Sequence, residues 1–111
     1  KSLKDWSRLM YTTKEQKTFN GIAAESFDGG VSEISDVVEH TGLSAKEARG
    51  VLSSLVKKGR VVVEEFENFG VPTLIHYWPV RKDGSDRGVF WIDCLNREEF
   101  EAELITDEEV N

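Results

Sequence analysis

Residues 31–78 read VSEISDVVEHTGLSAKEARGVLSSLVKKGRVVVEEFENFGVPTLIHYW, and the periodicities in this stretch leave few folds open to the chain. Ser32 is placed to cap a helix in which Ile34, Val37 and Val38 recur at the i, i+3, i+4 spacing of an amphipathic face. Thr41-Gly42-Leu43 then interrupts the pattern, with Gly42 supplying the backbone freedom to turn. Ser44 opens a second helix, and Glu47 three residues later completes a capping box. Ala48, Val51, Leu52, Leu55 and Val56 form its apolar stripe, and Gly59 stops it after Lys57 and Lys58. Val61, Val62 and Val63 open a strand, Asn68-Phe69-Gly70 forms a tip, and Leu74 to Trp78 returns as a second strand.

Two helices across a glycine-containing turn, followed by a hairpin, resemble the winged helix-turn-helix superfamily. The resemblance covers residues 13–78 and implies an α+β fold: a three-helix core with a two- or three-stranded antiparallel wing sheet. It also implies a function, because the second helix of such a pair enters the major groove by its N-terminal half. The expected activity is therefore binding of double-stranded DNA, as in a transcriptional regulator, by the helix 45–58. With Ala48, Leu52 and Leu55 facing the core, Ala45, Lys46, Arg49, Gly50 and Ser53 fall on the opposite face. Lys46 and Arg49 suit guanine edges or phosphates, and Ser44 and Ser53 suit phosphate oxygens. Lys57 and Arg60 extend the same basic run, and Lys57 and Lys58 also complement the helix dipole.

The flanking segments extend this core into a single domain over 1–111. Leu3, Trp6, Leu9, Met10 and Tyr11 predict an N-terminal arm or short helix over 1–11. The winged-helix core runs over 12–80. Thr12 or Thr13 caps its first helix, with Glu15 or Gln16 completing the box, and Phe19, Ile22, Ala23 and Phe27 supply the buried stripe. Val31 is expected as a short connecting strand. Pro79, without an amide hydrogen, closes the second wing strand. Over 81–111, a polar loop leads to a strand from Val89 to Leu95, expected beside the wing. Asn96 and Glu99 then cap an acidic C-terminal helix with Phe100 and Leu104 on its apolar side, and Thr106 onward is expected to fray.

Charge divides the chain unevenly. From Asp93 to Asn111 there are eight acids against Arg97, so this end carries the whole net charge of −7. A neutral body with an acidic end supports a rival expectation: a winged helix used as a protein-interaction module, an adaptor or inhibitor that binds a basic partner. Glu65 and Glu67 favour it, since carboxylates on a wing repel phosphates, and an exposed Phe69 at the tip suits a protein contact. The acidic end itself is expected to occupy a basic surface, on a partner or on the chain's own helix. Phe100 and Leu104 are alternatively placed to pair two copies in a homodimer. A continuous positive surface over Lys46, Arg49, Lys57, Arg60, Arg81 and Lys82 is the mark of the DNA reader. Burial of Arg49 in an ion pair, or an exposed aromatic patch at Phe69 and Trp78, is the mark of the protein binder.

Enzymes are disfavoured: the sequence has no nucleophile elbow, phosphate loop or metal-binding helix motif, and no cofactor is expected. His40 near a helix end suits the dipole, and His76 between Ile75 and Tyr77 reads as a surface or satisfied strand histidine and not a ligand. The single Cys94 excludes an internal disulfide and reads as a small buried hydrophobe. No run reaches the length of a membrane helix and no apolar leader opens the chain, so a cytoplasmic setting is expected.

Overall fold

A computed structural model of the chain describes residues 10–68, 71–84 and 95–111, at 68 and 71–73 by backbone alone. The order is α1 (Thr13–Phe27), α2 (Ile34–Thr41), α3 (Ala45–Lys57), β1 (Val61–Asn68), β2 (Val71–Pro79), α4 (Arg97–Glu103) and a closing 3₁₀ turn (Asp107–Glu109). The described residues are α+β, with four α-helices and a two-stranded antiparallel sheet among them, an arrangement compatible with a winged helix. The arm before Met10, the tip at Phe69-Gly70 and the strand expected at Val89–Leu95 lie outside the described residues, except for Leu95.

Local chemistry sets the boundaries of the helices. Thr12, rather than Thr13, caps α1: its Oγ1 accepts from the Glu15 amide at 3.0 Å, and Glu15 accepts from the Thr12 amide at 2.8 Å. Ser44 and Glu47 reciprocate in the same way at α3. At α2 the cap is Glu33, whose amide donates to Asp36, and not Ser32 as expected. The reason is tertiary. The Ser32 carbonyl accepts from the Tyr77 amide at 2.9 Å in an isolated bridge, which holds Ser32 extended one residue beyond the strand expected at Val31. The C-terminus of α3 closes in a Schellman motif: the Gly59 amide donates to Val56 and the Arg60 amide to Leu55, with Gly59 at φ 75°.

Phe19, Ile22 and Ala23 from α1, Val37 from α2, and Ala48, Leu52 and Leu55 from α3 form the core, joined by Val61, Tyr11, Phe100 and Ile105. Each large member contributes about 1.5–3 kcal/mol by leaving water. Two apolar expectations are corrected here. Val56 is exposed, because it lies where the α3 stripe meets solvent. Phe100 is buried and its ring stacks on Phe27 at 4.2 Å, while Leu104 packs against the core, so neither is left free to pair two copies.

The hairpin pairs Val61 with Pro79, Val63 with Tyr77, Glu65 with Ile75 and Phe66 with Leu74. An irregularity between Phe66 and Asn68 precedes the Asn68–Val71 pair. Pro79 ends the register as expected, although the Val80 amide still donates to Arg60. The C-terminus is ordered instead of frayed. Tyr11 and Val110 form a parallel bridge: the Tyr11 amide donates to Glu109 and the Asn111 amide to Tyr11, both at 2.9 Å. Asn20 then grips Ile105 through both its side-chain oxygen and nitrogen.

Candidate nucleic-acid interface

Packing of Ala48, Leu52 and Leu55 against α1 and α2 leaves the other side of α3 in solvent. Its exposed residues are Ala45, Lys46, Glu47, Arg49, Gly50, Ser53, Val56 and Lys57. Lys46, Arg49, Ser53 and Lys57 follow one another at intervals of three or four residues and so share one stripe. No ion pair among the described residues uses Lys46, Arg49 or Lys57. Ser44, at the head of the stripe, is exposed, but its hydroxyl already caps the helix.

Glu47 is the one acid on this side, and it is engaged. Lys14 Nζ donates to its Oε2 at 2.9 Å and the Ser44 amide approaches its Oε1 at 3.4 Å. The Lys14 bond and the Ser44 amide together hold the Glu47 carboxyl below its ordinary range. Beside this pair, an open cleft of about 340 Å³ runs between the start of α1 and the flank of α3, lined by Thr12, Glu15, Gly50, Val51 and Ser54 among others.

The remaining basic residues of the expected surface are spent inside the molecule. Arg60 is only 4% exposed. Its Nε donates to Val80 O at 3.1 Å, Nη1 to Tyr11 Oη at 3.2 Å and Nη2 to Glu103 O at 3.1 Å. The guanidinium also lies 4.3 Å from the centre of the Phe19 ring. Arg60 is therefore removed from the candidate interface. Lys58 donates to Glu15 at 2.9 Å and to Met10 O at 2.8 Å. Arg81 Nε reaches Glu103 at 3.1 Å, and Lys82 Nζ lies 3.5 Å from Glu109. The acidic end thus meets Arg81 and Lys82 within the chain, and not the helix face that was one of the two basic surfaces expected for it.

Two carboxylates that hold this frame were not singled out from the sequence. Glu15 reads as a cap, yet the same group accepts from Ser54 Oγ and Lys58 Nζ and ties the start of α1 to the end of α3. Burial pushes its pKa up, but the Ser54, Lys58 and Thr12 hydrogen bonds with the Lys58 charge outweigh that and hold it low. Ser54 and Lys58 stand four residues apart beside the buried stripe, and that spacing was the available signal. Glu103 accepts from Arg81 and from the Lys82 amide, so the loop after β2 is anchored to α4. No spacing marks a contact of that range.

The hairpin carries no free base. Glu64 accepts from Trp78 Nε1 at 2.8 Å, which turns it away from the exposed Glu65 and Glu67. Trp78 is 6% exposed, so the aromatic patch expected at Phe69 and Trp78 does not form through Trp78, and Phe69 is outside the described residues. Val63, Phe66, Leu74 and Ile75 are each 38–40% exposed. Both histidines lie near acids: His40 Nε2 is 3.6 Å from Glu25 and His76 Nε2 is 3.9 Å from Glu33. Among the described residues no cluster of His, Cys, Asp or Glu could hold a metal ion, and no helix is long and apolar enough to cross a membrane. Compared with known proteins, the chain matches no protein-family model, no curated protein and no solved structure.

Proposed function

We propose that this chain is a winged-helix DNA-binding protein, a regulator of transcription that meets duplex DNA with the outer face of α3. The observation that carries the proposal is the exposed stripe of Lys46, Arg49 and Lys57, without an ion pair among the described residues, on the helix whose other side is locked into the core. Among the described residues its cations have no acid to satisfy them, and a polyanion would. Such contacts release counterions, so affinity should fall with salt by a log–log slope of about −0.9 for each phosphate neutralised. Ser53 adds a neutral donor to the stripe. Because Glu65 and Glu67 are exposed on the hairpin, DNA lies against α3 with the hairpin held off the phosphates.

A salt series on a random-sequence duplex tests this, using the full chain. Truncation at Leu95 is unsuitable because it removes partners of Arg60 and Tyr11. Salt-sensitive binding that weakens in Lys46→Ala and Arg49→Ala supports the reading. Absence of binding at low salt overturns it.

A second reading rests on a different observation. The hairpin exposes Val63 and Ile75 beside Glu65 on one face, and Phe66 and Leu74 on the other. An acidic rim on apolar side chains suits a basic protein partner, and this is the interaction module to which a failed duplex titration would point.

A further inference from the structure

We infer that the α3 face selects duplex DNA presenting adjacent guanines on one strand, an inference that rests on the DNA-binding reading above. It follows from what the face can and cannot offer. Lys46 and Arg49 bring only donors, and the exposed positions of α3 hold no Asn, Gln, His or Asp. Their one carboxylate, Glu47, is already bonded by Lys14 at 2.9 Å and approached by the Ser44 amide, and the Ser53 hydroxyl, four residues past Arg49, both donates and accepts.

The bases respond differently to such a face. Cytosine offers a donor and asks for a free carboxylate; adenine offers a donor beside an acceptor and asks for Asn or Gln. Guanine offers two acceptors, O6 and N7, and is the base that the two donor side chains of Lys46 and Arg49 satisfy. Spacing then fixes how many guanines are read. Lys46 and Arg49 stand three residues apart, about 4.5 Å along the helix axis at 1.5 Å per residue. That is close to the roughly 3.4 Å step between bases along one strand, so the two side chains meet neighbouring bases.

Steric room permits the approach. Gly50, next to Arg49, has no atom within 4 Å of where a Cβ would stand, and Ala45 precedes Lys46 with a single methyl. Lys57, about three turns beyond Lys46, is too far along the axis to read the same step and is left for a phosphate.

The test compares 20-base-pair duplexes (length chosen to cover about two helical turns) that differ only at a central GG, GC, AA or AT step. A fifth duplex carries 7-deazaguanine at the GG step, which replaces the N7 acceptor by C–H. Binding is read by fluorescence anisotropy at one fixed salt concentration. The GG duplex should bind about 5- to 150-fold tighter than AA or AT. Most of that preference should vanish with 7-deazaguanine. Arg49→Ala and Lys46→Ala should each narrow it, with circular dichroism unchanged.

Equal, salt-sensitive binding of all five duplexes would overturn the guanine inference and leave the DNA-binding reading standing. Binding to none at low salt would overturn both. A preference for GG that survives both substitutions would also overturn the inference, because another part of the protein would then be the reader.

Discussion

Arg49 and Arg60 are eleven positions apart in the sequence and are put to opposite uses. Arg49 is exposed on α3 and enters no ion pair among the described residues. Arg60 is buried beneath Phe19 and donates to three oxygens drawn from the N-terminal segment, the end of β2 and the end of α4. The difference comes from acceptors. A guanidinium is carried inside only where several oxygens can receive it, since a buried cation without partners is costly. Around Arg60 the Tyr11 hydroxyl and the carbonyls of Val80 and Glu103 provide them. Around Arg49, which is exposed, no acid among the described residues pairs with it. A basic residue counted from the sequence is thus as capable of being a structural rivet as a ligand contact.

Substitution of Arg60 should give the largest effect. Arg60→Ala should destabilise the fold by about 3 kcal/mol or more, because three buried acceptors lose their donor at once. Urea denaturation would show this as a lower midpoint, and a loss below about 1 kcal/mol would break the contrast with Arg49. Glu15→Gln comes next, at about 1–3 kcal/mol near neutral pH, since Lys58 and Ser54 lose a charged acceptor. Its pH dependence has a defined sign. The folded Glu15 carboxyl titrates below its unfolded counterpart, so its contribution is complete above the unfolded pKa. It is lost as pH falls through the folded pKa. The stability gap between wild type and Glu15→Gln should therefore close on acidification, and a gap that widens would refute the assignment.

Gly59→Ala should cost about 1–2 kcal/mol, read as a lowered Tm, because φ 75° is strained for any residue with a Cβ. Nothing lies within 4 Å of that Cβ, so the whole effect is backbone strain. Arg49→Ala should be the smallest on this scale, within about 0.5 kcal/mol of wild type in stability. On the proposed DNA-binding reading, its effect belongs to duplex affinity instead. A substitution that harms binding and spares folding would sharpen the comparison more than any of the others.

The core helices were legible in the sequence because their rules are local. Capping boxes at Thr12, Ser44 and Asn96, the stop at Gly59 and the stripes of α1 and α3 all follow from residues within two turns of one another. So did the free side of α3, since burial of Ala48, Leu52 and Leu55 fixes which residues remain outside. Long-range pairing was not legible. Ser32 was misread as a cap because Tyr77, forty-five positions on, claims its carbonyl. Arg60 was misread as a surface cation because its partners are scattered from Tyr11 to Glu103. The acidic end was read by composition alone, which gives its charge and not its address on Arg81 and Lys82.

The bridge between Tyr11 and Val110 has a mechanical consequence. Its two strands run parallel, so the chain leaving Tyr11 toward its start and the chain leaving Val110 toward its end depart in opposite directions. A pull applied through both ends therefore loads the bridge in shear. The two amide bonds, Tyr11 to Glu109 and Asn111 to Tyr11, bear that tension together instead of parting one after the other as a zipper would. Tension carried from Met10 to Asn111 meets that paired clasp before it reaches α1.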